Sequence, residues 1–411
     1  MALQRVVESV IHLLKGGTVH TMHPAYFGLF NPSVLFPAML ADQISAAFNP
    51  QLAVWSHAPA AIEIERHTIA AMAGRFGWSD GTGHFTTGGT ESNATSLLMA
   101  LSRTFPQFGQ RGVGALSGQP RLYVSAESHL AWLKIAHQTG IGRNSVHLVA
   151  TDGMGRMDPL ALSEAIRIDR EKGHIPFFVG ATAGTTNAGM IDPLEACGDR
   201  ARAEALWFHV DAAWGGAAIL SAQAADHLKG IGAADSITLD AHKWLAVPMG
   251  AGMLLCRDEM LLGEIFRVSA SYMPTSTDAG VDPYTHSIQW SRRFIGLKLF
   301  MSLACLGWRG YQTHIEHTLA MAAQLRGLLC ASGWRIVNDS PLGVVCFEDS
   351  AAGTDPAVIA ARVVASGDAW ISPAMFEGRT VLRACITSHF TTSEHLGGLV
   401  DALARARRAE I

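Results

Sequence analysis

Short apolar runs alternate with longer helix-patterned stretches through most of this chain. Arg121-Leu-Tyr-Val-Ser125, Ser145-Val-His-Leu-Val149, Phe177-Phe-Val-Gly-Ala181, Trp207-Phe-His-Val-Asp211 and Ser236-Ile-Thr-Leu239 are the clearest runs. Each is too short for a helix, and an unbroken apolar strand is one buried on both faces. Strands alternating with helices predict an α/β fold whose sheet is largely parallel, with ligand groups at the strand ends. After Arg293 an amphipathic stretch runs to about Leu329, and Trp334–Val337, Gly343–Phe347 and Thr380–Ile386 follow as further strands. These predict a small α+β lobe. The expected organisation is a short arm over residues 1–37, a large domain over 38–300 and a small C-terminal domain over 301–411. Neither a repeat nor a low-complexity linker separates the lobes, so they should pack firmly.

Composition narrows the function classes. With 411 residues, 49% of them hydrophobic, the chain can bury a large core, and a net charge of -4 offers no electrostatic case for nucleic acid or an anionic membrane. The apolar piece Val10-Ile-His-Leu-Leu14 is too short for a signal or spanning segment. The six cysteines are scattered without CxxC spacing, which points to a reducing cytoplasm. His314 and His317 share a helical stretch, but no third ligand lies nearby in sequence, and no metal is assigned.

Candidate chemistry centres on Thr238-Leu-Asp-Ala-His-Lys-Trp-Leu245, which places Lys243 just after an apolar run. A lone lysine there is ordinarily a solvated charge. Lys243, however, follows a second apolar run that ends on Asp211 and breaks at Gly215-Gly216. An aspartate at one strand end and a lysine at the next suit pyridoxal 5'-phosphate. The lysine can hold the aldehyde as a Schiff base, and the carboxylate can keep the pyridine nitrogen protonated. A third part is Gly83-His-Phe-Thr-Thr-Gly-Gly-Thr-Glu-Ser-Asn93, leading into a helix patterned by Ala94, Leu97, Leu98 and Leu101. By itself Gly88-Gly89-Thr90 is an ordinary N-cap. Beside Asp211 and Lys243 it becomes a phosphate cradle, because free N–H groups and a positive dipole end favour an anion.

These residues carry a family resemblance. The chain resembles the group II pyridoxal-phosphate-dependent amino-acid decarboxylases, aromatic-L-amino-acid decarboxylase among them, in His23–Pro32 (HPAYFGLFNP), Thr86–Asn93 (TTGGTESN), Ser125–His129 (SAESH), Ala181–Gly189 (ATAGTTNAG), His209–Gly216 (HVDAAWGG) and Asp240–Trp244 (DAHKW). The motifs occur in family order, and the resemblance runs from about Ser9 to Thr392. It implies an aspartate aminotransferase-like large domain of fold type I with a mainly parallel seven-stranded sheet, a small C-terminal domain and a homodimer. It also implies that Lys243 holds the cofactor, Asp211 pairs with the ring nitrogen, His129 stacks on the ring, Ala213 packs the opposite face, Thr185 approaches the cofactor and His242 bonds the phosphate. The catalytic set so implied is Lys243, His129, Asp211 and a proton-donating tyrosine from a loop.

For that tyrosine, Tyr284 is the first candidate and Tyr272 the second, both in the Gly/Ser/Thr/Pro-rich segment Ser269–His286. In the family, phenylalanine at the tyrosine's place accompanies aldehyde formation. Two departures stand out. Asp240 occupies a place where several members carry a neutral residue, and an acid there weakens phosphate binding unless it is paired or points away. The stretch ahead of His23 is shorter than the family's usual partner-wrapping arm, so a shorter swapped arm is expected.

The expected reaction is decarboxylation of an L-amino acid to its amine. Aromatic substrates come first, because Phe27, Phe30 and Trp55 can wall a side-chain pocket and these segments offer no arginine for an acidic side chain. The same aromatics also read as core or dimer packing. A diamino acid stays open through Asp42, Glu63 and Glu65, and an acidic amino acid, a carbon–carbon lyase or an aldehyde synthase of the same fold are the alternatives. A non-enzymatic binding protein and a hydrolase built on Ser125 or Ser128 with His129 are disfavoured, the latter for want of a nucleophile-elbow glycine pattern.

Overall fold

The computed structural model describes residues 2–268, 280–351 and 353–408. Seven strands form the large sheet: β1 (Thr82–Thr86), β2 (Pro120–Ser125), β3 (Val146–Val149), β4 (Ile175–Thr182), β5 (Trp207–Asp211), β6 (Ser236–Asp240) and β7 (Gly252–Cys256). Their order is β1-β7-β6-β5-β4-β2-β3. β7 runs antiparallel to both neighbours, and every other pairing is parallel. Every residue of β5, β6 and β7 is buried; β7 is wholly apolar after Gly252, whereas β6 alternates apolar Ile237 and Leu239 with buried polar Ser236, Thr238 and Asp240. β1 is the strand the pattern hides. Gly83 sits in it at φ 142°, and a Cβ there would come 1.9 Å from the Leu254 carbonyl oxygen, so this close approach admits only glycine.

The second sheet is antiparallel, in the order β10-β11-β9-β8, from β8 (Trp334–Ile336), β9 (Val344–Asp349), β10 (Ser372–Phe376) and β11 (Arg379–Cys385). β10 was not apparent from the hydrophobic pattern. It carries Pro373 and is an edge strand, where a missing N–H leaves no ladder bond unmade. The helix Leu297–Ala331 connects the lobes and leaves helical geometry at Gly307 (φ 63°, ψ 179°).

The chain ahead of the large sheet does two things. The helix Leu3–Gly17 has no buried residue, whereas Ala25–Phe27 joins the small lobe: Phe27 N–H donates to the Trp370 carbonyl (2.7 Å) and Cys385 N–H to the Phe27 carbonyl (2.8 Å). Phe27 is fully buried in one cluster with Leu325, Phe347, Ile371 and Leu382. Its expected place in a substrate pocket is therefore corrected, because backbone pairing on both sides turns the ring into the small-lobe core. Phe27→Ala should cost about 3–5 kcal/mol of stability, read as a lower urea midpoint.

The acids that kept a diamino substrate open are engaged elsewhere. Glu65 pairs with Arg292 at 3.0 Å inside the protein and accepts the Gly296 amide at 2.8 Å. Asp42 pairs with Arg293 (2.8 Å), and Glu63 with Arg66 (2.9 Å) and the Trp55 indole (3.2 Å). Among the described residues no helix is long and apolar enough to cross a membrane.

Candidate active site

Six parallel strands deliver their C-terminal ends to one side of the sheet, where successive loops form a cavity of about 360 Å³. β5 ends on Asp211, and the turn after β6 carries Asp240, His242 and Lys243. β2 leads to His129, β4 to Thr182, Gly184 and Thr186, and β1 to Gly88, Gly89 and Thr90 at the start of the helix Gly89–Thr104; all of these line the cavity. No side chain caps that helix start, so its leading N–H groups stay available to an anion.

Asp211 is buried and carefully oriented. Its Oδ2 accepts from Asn93 Nδ2 at 2.8 Å and its Oδ1 from the Ala213 amide at 3.1 Å. Asn93 Oδ1 in turn accepts from Thr238 Oγ1 (2.6 Å) and from His209 Nε2 (3.1 Å). His209 Nδ1 meets Ser236 Oγ at 2.9 Å, and Ser236 also accepts from the Trp207 indole (2.9 Å). Because a carboxylate only accepts, the Asn93 amide must face it with its NH2, and His209 must then carry its proton on Nε2. One donor direction thus runs from the core to Asp211. Burial depresses the His209 pKa to about 4, only partly offset by Asp211, so the ring is neutral.

This sets a test of sign. The unfolded chain binds a proton to His209 below about 6.5, and the folded chain does so only below about 4. The native state therefore loses stability as pH falls across that window. In His209→Gln that contribution is absent, so urea unfolding of wild type should weaken more than the variant between pH 7 and 5, by on the order of 2 kcal/mol.

Lys243 Nζ lies 3.1 Å from Asp240 Oδ2. His242 Nδ1 accepts the Ala251 amide (3.3 Å), and burial above all lowers its pKa. Behind the lysine, Trp244 donates to Thr318 Oγ1 (2.9 Å), and its carbonyl bonds His314 Nε2 (2.9 Å). His317 bonds the Thr391 carbonyl (2.9 Å). His129 Nδ1 accepts the Ala131 amide at 3.1 Å, so the neutral ring carries its proton on Nε2. Phe30 and Trp214, 4.6 Å apart by ring centroids, form an aromatic wall.

The cavity thus brings together Lys243, Asp211, His129, Ala213, His242, Gly88, Gly89, Thr90 and Phe30. Thr185 stands behind the wall: its hydroxyl accepts the Met190 amide (3.0 Å), while Gly184 and Thr186 on either side face inward. Trp55 also lies off the wall, its backbone N–H held by Asp282 (2.8 Å) and its indole by Glu63. Its expected place in the pocket is corrected accordingly. Tyr284 donates its amide to the Ala53 carbonyl (3.1 Å), rests against Trp290 (4.9 Å) and does not line the cavity. Tyr272 lies outside the described residues.

The structure gives roles to three further residues, Asn93 and Arg383, to which the sequence assigned none, and Asp240, whose pairing the sequence left open. Asn93 orients Asp211; the clue in sequence was a polar pair, Asn93 and Ser96, on one face of a helix start, both buried. Asp240 pairs with Lys243. Arg383 is buried and ties the Thr186 carbonyl (2.8 Å) to the Gly28 carbonyl (3.0 Å), joining the small lobe to the cavity wall.

The donor set fits pyridoxal phosphate. A lysine can bond the aldehyde, a carboxylate with lone pairs to spare can hold the ring N–H, and a glycine cradle can hold the phosphate. A Cβ at Gly89 would come 3.2 Å from Ala213 Cβ, so the cradle is open because that atom is missing.

Comparison with known proteins agrees. The family model described as the pyridoxal-dependent decarboxylase conserved domain matches residues 2–349. Acidic amino acid decarboxylase GADL1 of Mus musculus is 33% identical over 84% of this chain, and aromatic-L-amino-acid decarboxylase of Bacillus atrophaeus is 30% identical over 92% of it, covering 80% of that protein. The chain spans only 63–66% of the length of the mouse, human and bovine GADL1 proteins. Among solved structures, mouse CSAD in apo form superposes with a TM-score of 0.92 at 28% identity, over 99% of this chain and 88% of that one. By family match, fold and cavity alike, the chain belongs to the pyridoxal-dependent decarboxylase family.

Proposed function

We propose that this protein removes the α-carboxylate of an L-amino acid as carbon dioxide and releases the amine. The observation that carries this reading is a single cavity lined by Lys243, Asp211, His129 and the Gly88–Thr90 helix start. Bound pyridoxal phosphate supplies a ring that accepts electrons from the breaking bond. Asp211, oriented by Asn93, keeps the ring nitrogen protonated. Lys243 holds the cofactor between turnovers, and His129 presents its Nε2–H side to orient the substrate or pass a proton. Reaction type follows from which substrate bond these residues hold perpendicular to the ring. Tyr284 is kept as the proposed proton donor; in this chain its ring rests against Trp290.

For the side chain we favour an aromatic amino acid, on the Phe30–Trp214 wall and the lack of any arginine among the described residues that line the cavity. The second reading is an acidic amino acid, favoured by the likeness to GADL1. We place the enzyme in the cytoplasm as a homodimer. Mass-spectrometric product analysis with a panel of L-amino acids, under air and under nitrogen, tests the reading. Amine and carbon dioxide in both atmospheres are expected; aldehyde formed only under air would assign the protein to the aldehyde synthases instead.

A further inference from the structure

Asp240 closes β6 with only 2% of its surface exposed. Its Oδ2 lies 3.1 Å from Lys243 Nζ and 3.8 Å from His242 Nε2, while its Oδ1 has no hydrogen-bond partner. The surrounding backbone leaves the carboxylate little room to turn away. A Cβ at Gly89 would stand 3.0 Å from Oδ2, and one at Gly252 would stand 2.8 Å from Oδ1. Glycines on two different elements therefore pack directly on this group.

A buried carboxylate needs a counter-charge. On its own turn it faces Lys243 and His242. From β1 and the helix start come Thr86, Gly88 and Gly89, which carry no charge, and from β7 comes Gly252. Asp211, Glu91 and His129 share the cavity, but Asp211 is bonded to Asn93 and Glu91 to Thr87 and Gln289. Lys298, on the long helix, is committed to the Met249 carbonyl (2.9 Å) and Asp42. Burial keeps His242 neutral. Among the described residues Lys243 is the cation left to balance Asp240.

We propose that Asp240 is a positioning residue that holds Lys243 as an ammonium whenever the lysine carries no cofactor, so that cofactor capture waits on the loss of that proton. The steps balance simply. Nζ gives one proton to water, its lone pair bonds the aldehyde carbon, and the carbonyl oxygen departs as water. An ammonium has no lone pair, so the ion pair slows capture. This rests on the family's cofactor and not on decarboxylation, because capture is read without any amino acid.

The experiment is stopped-flow absorbance of cofactor-free protein mixed with pyridoxal 5'-phosphate or with pyridoxal, which has the aldehyde but no phosphate. The second aldehyde is needed because Asp240 also lies against Gly89 of the anion cradle. Asp240→Asn should speed capture of both aldehydes about tenfold at about pH 7. Acceleration confined to the phosphate compound would mean that the carboxylate acts on the anion, and overturns the proposal, as does an unchanged rate with both. Asp240→Ser serves as a second variant should the carboxamide disturb the packing of Gly89 and Gly252.

Discussion

Lys243→Ala should abolish turnover, lowering kcat by several powers of ten, each worth about 1.4 kcal/mol of barrier. Among the described residues it is the one lysine on the cavity wall. Lys298, on the long helix, is spent on the Pro248 and Met249 carbonyls and on Asp42. No second amine among the described residues lines the cavity to take over the aldehyde. The check is borohydride reduction of cofactor-loaded protein followed by peptide mass mapping. In wild type the label should sit on the peptide containing Lys243, and in the variant no peptide should carry it. A label elsewhere, or surviving turnover, would remove Lys243 from the mechanism. The variant should melt somewhat lower without cofactor, because Asp240 then loses its partner at 3.1 Å.

Asp211→Ala should lower kcat about 10³-fold or more, equivalent to about 4 kcal/mol, while the cofactor still bonds to Lys243. The carboxylate accepts from Asn93 (2.8 Å) and from the Ala213 amide (3.1 Å) and keeps lone pairs for the ring N–H. Without that negative charge the ring nitrogen gives up its proton more readily, and the ring draws electrons less strongly. Asp211→Asn should be no better. Its amide must turn an NH2 toward either Asn93 Nδ2 or the Ala213 N–H, both of which are donors. Steady-state kinetics with the substrate found by product analysis, alongside the absorbance of the bound cofactor, decides this. A loss of less than tenfold in both variants would show that Asp211 is structural.

Asp211 and Asp240 sit at the ends of adjacent parallel strands, yet their surroundings divide their work. Asp211 is met by neutral donors and stays available to the ring. Asp240 is met by an ammonium, and the cavity as a whole is less acidic than its residue types suggest. This is the answer to the acid that stood out in DAHKW: it is paired, as phosphate binding next to it requires.

Much of this protein is legible in its sequence by itself. Short, mostly buried runs separated by helix-patterned stretches mark parallel strands, so β2, β4, β5 and β6 are legible within a residue or two, and with them the α/β class. Chemistry at strand ends follows from the same topology, which is why Asp211, Lys243 and the Gly88–Thr90 turn are legible from the residues, whereas His129 is legible only through the family resemblance. What lay beyond the sequence depended on contacts between distant segments. Phe27 and Trp55 look like Phe30 in composition, and only the pairing of Phe27 with Trp370 and Cys385, and of Trp55 with Asp282, decides that Phe30 alone of the three faces the cavity. Asn93, Asp240 and Thr185 differ in the same way. A hydrogen bond has a direction and a partner, and no periodicity along one segment encodes which group another segment will bring to meet it.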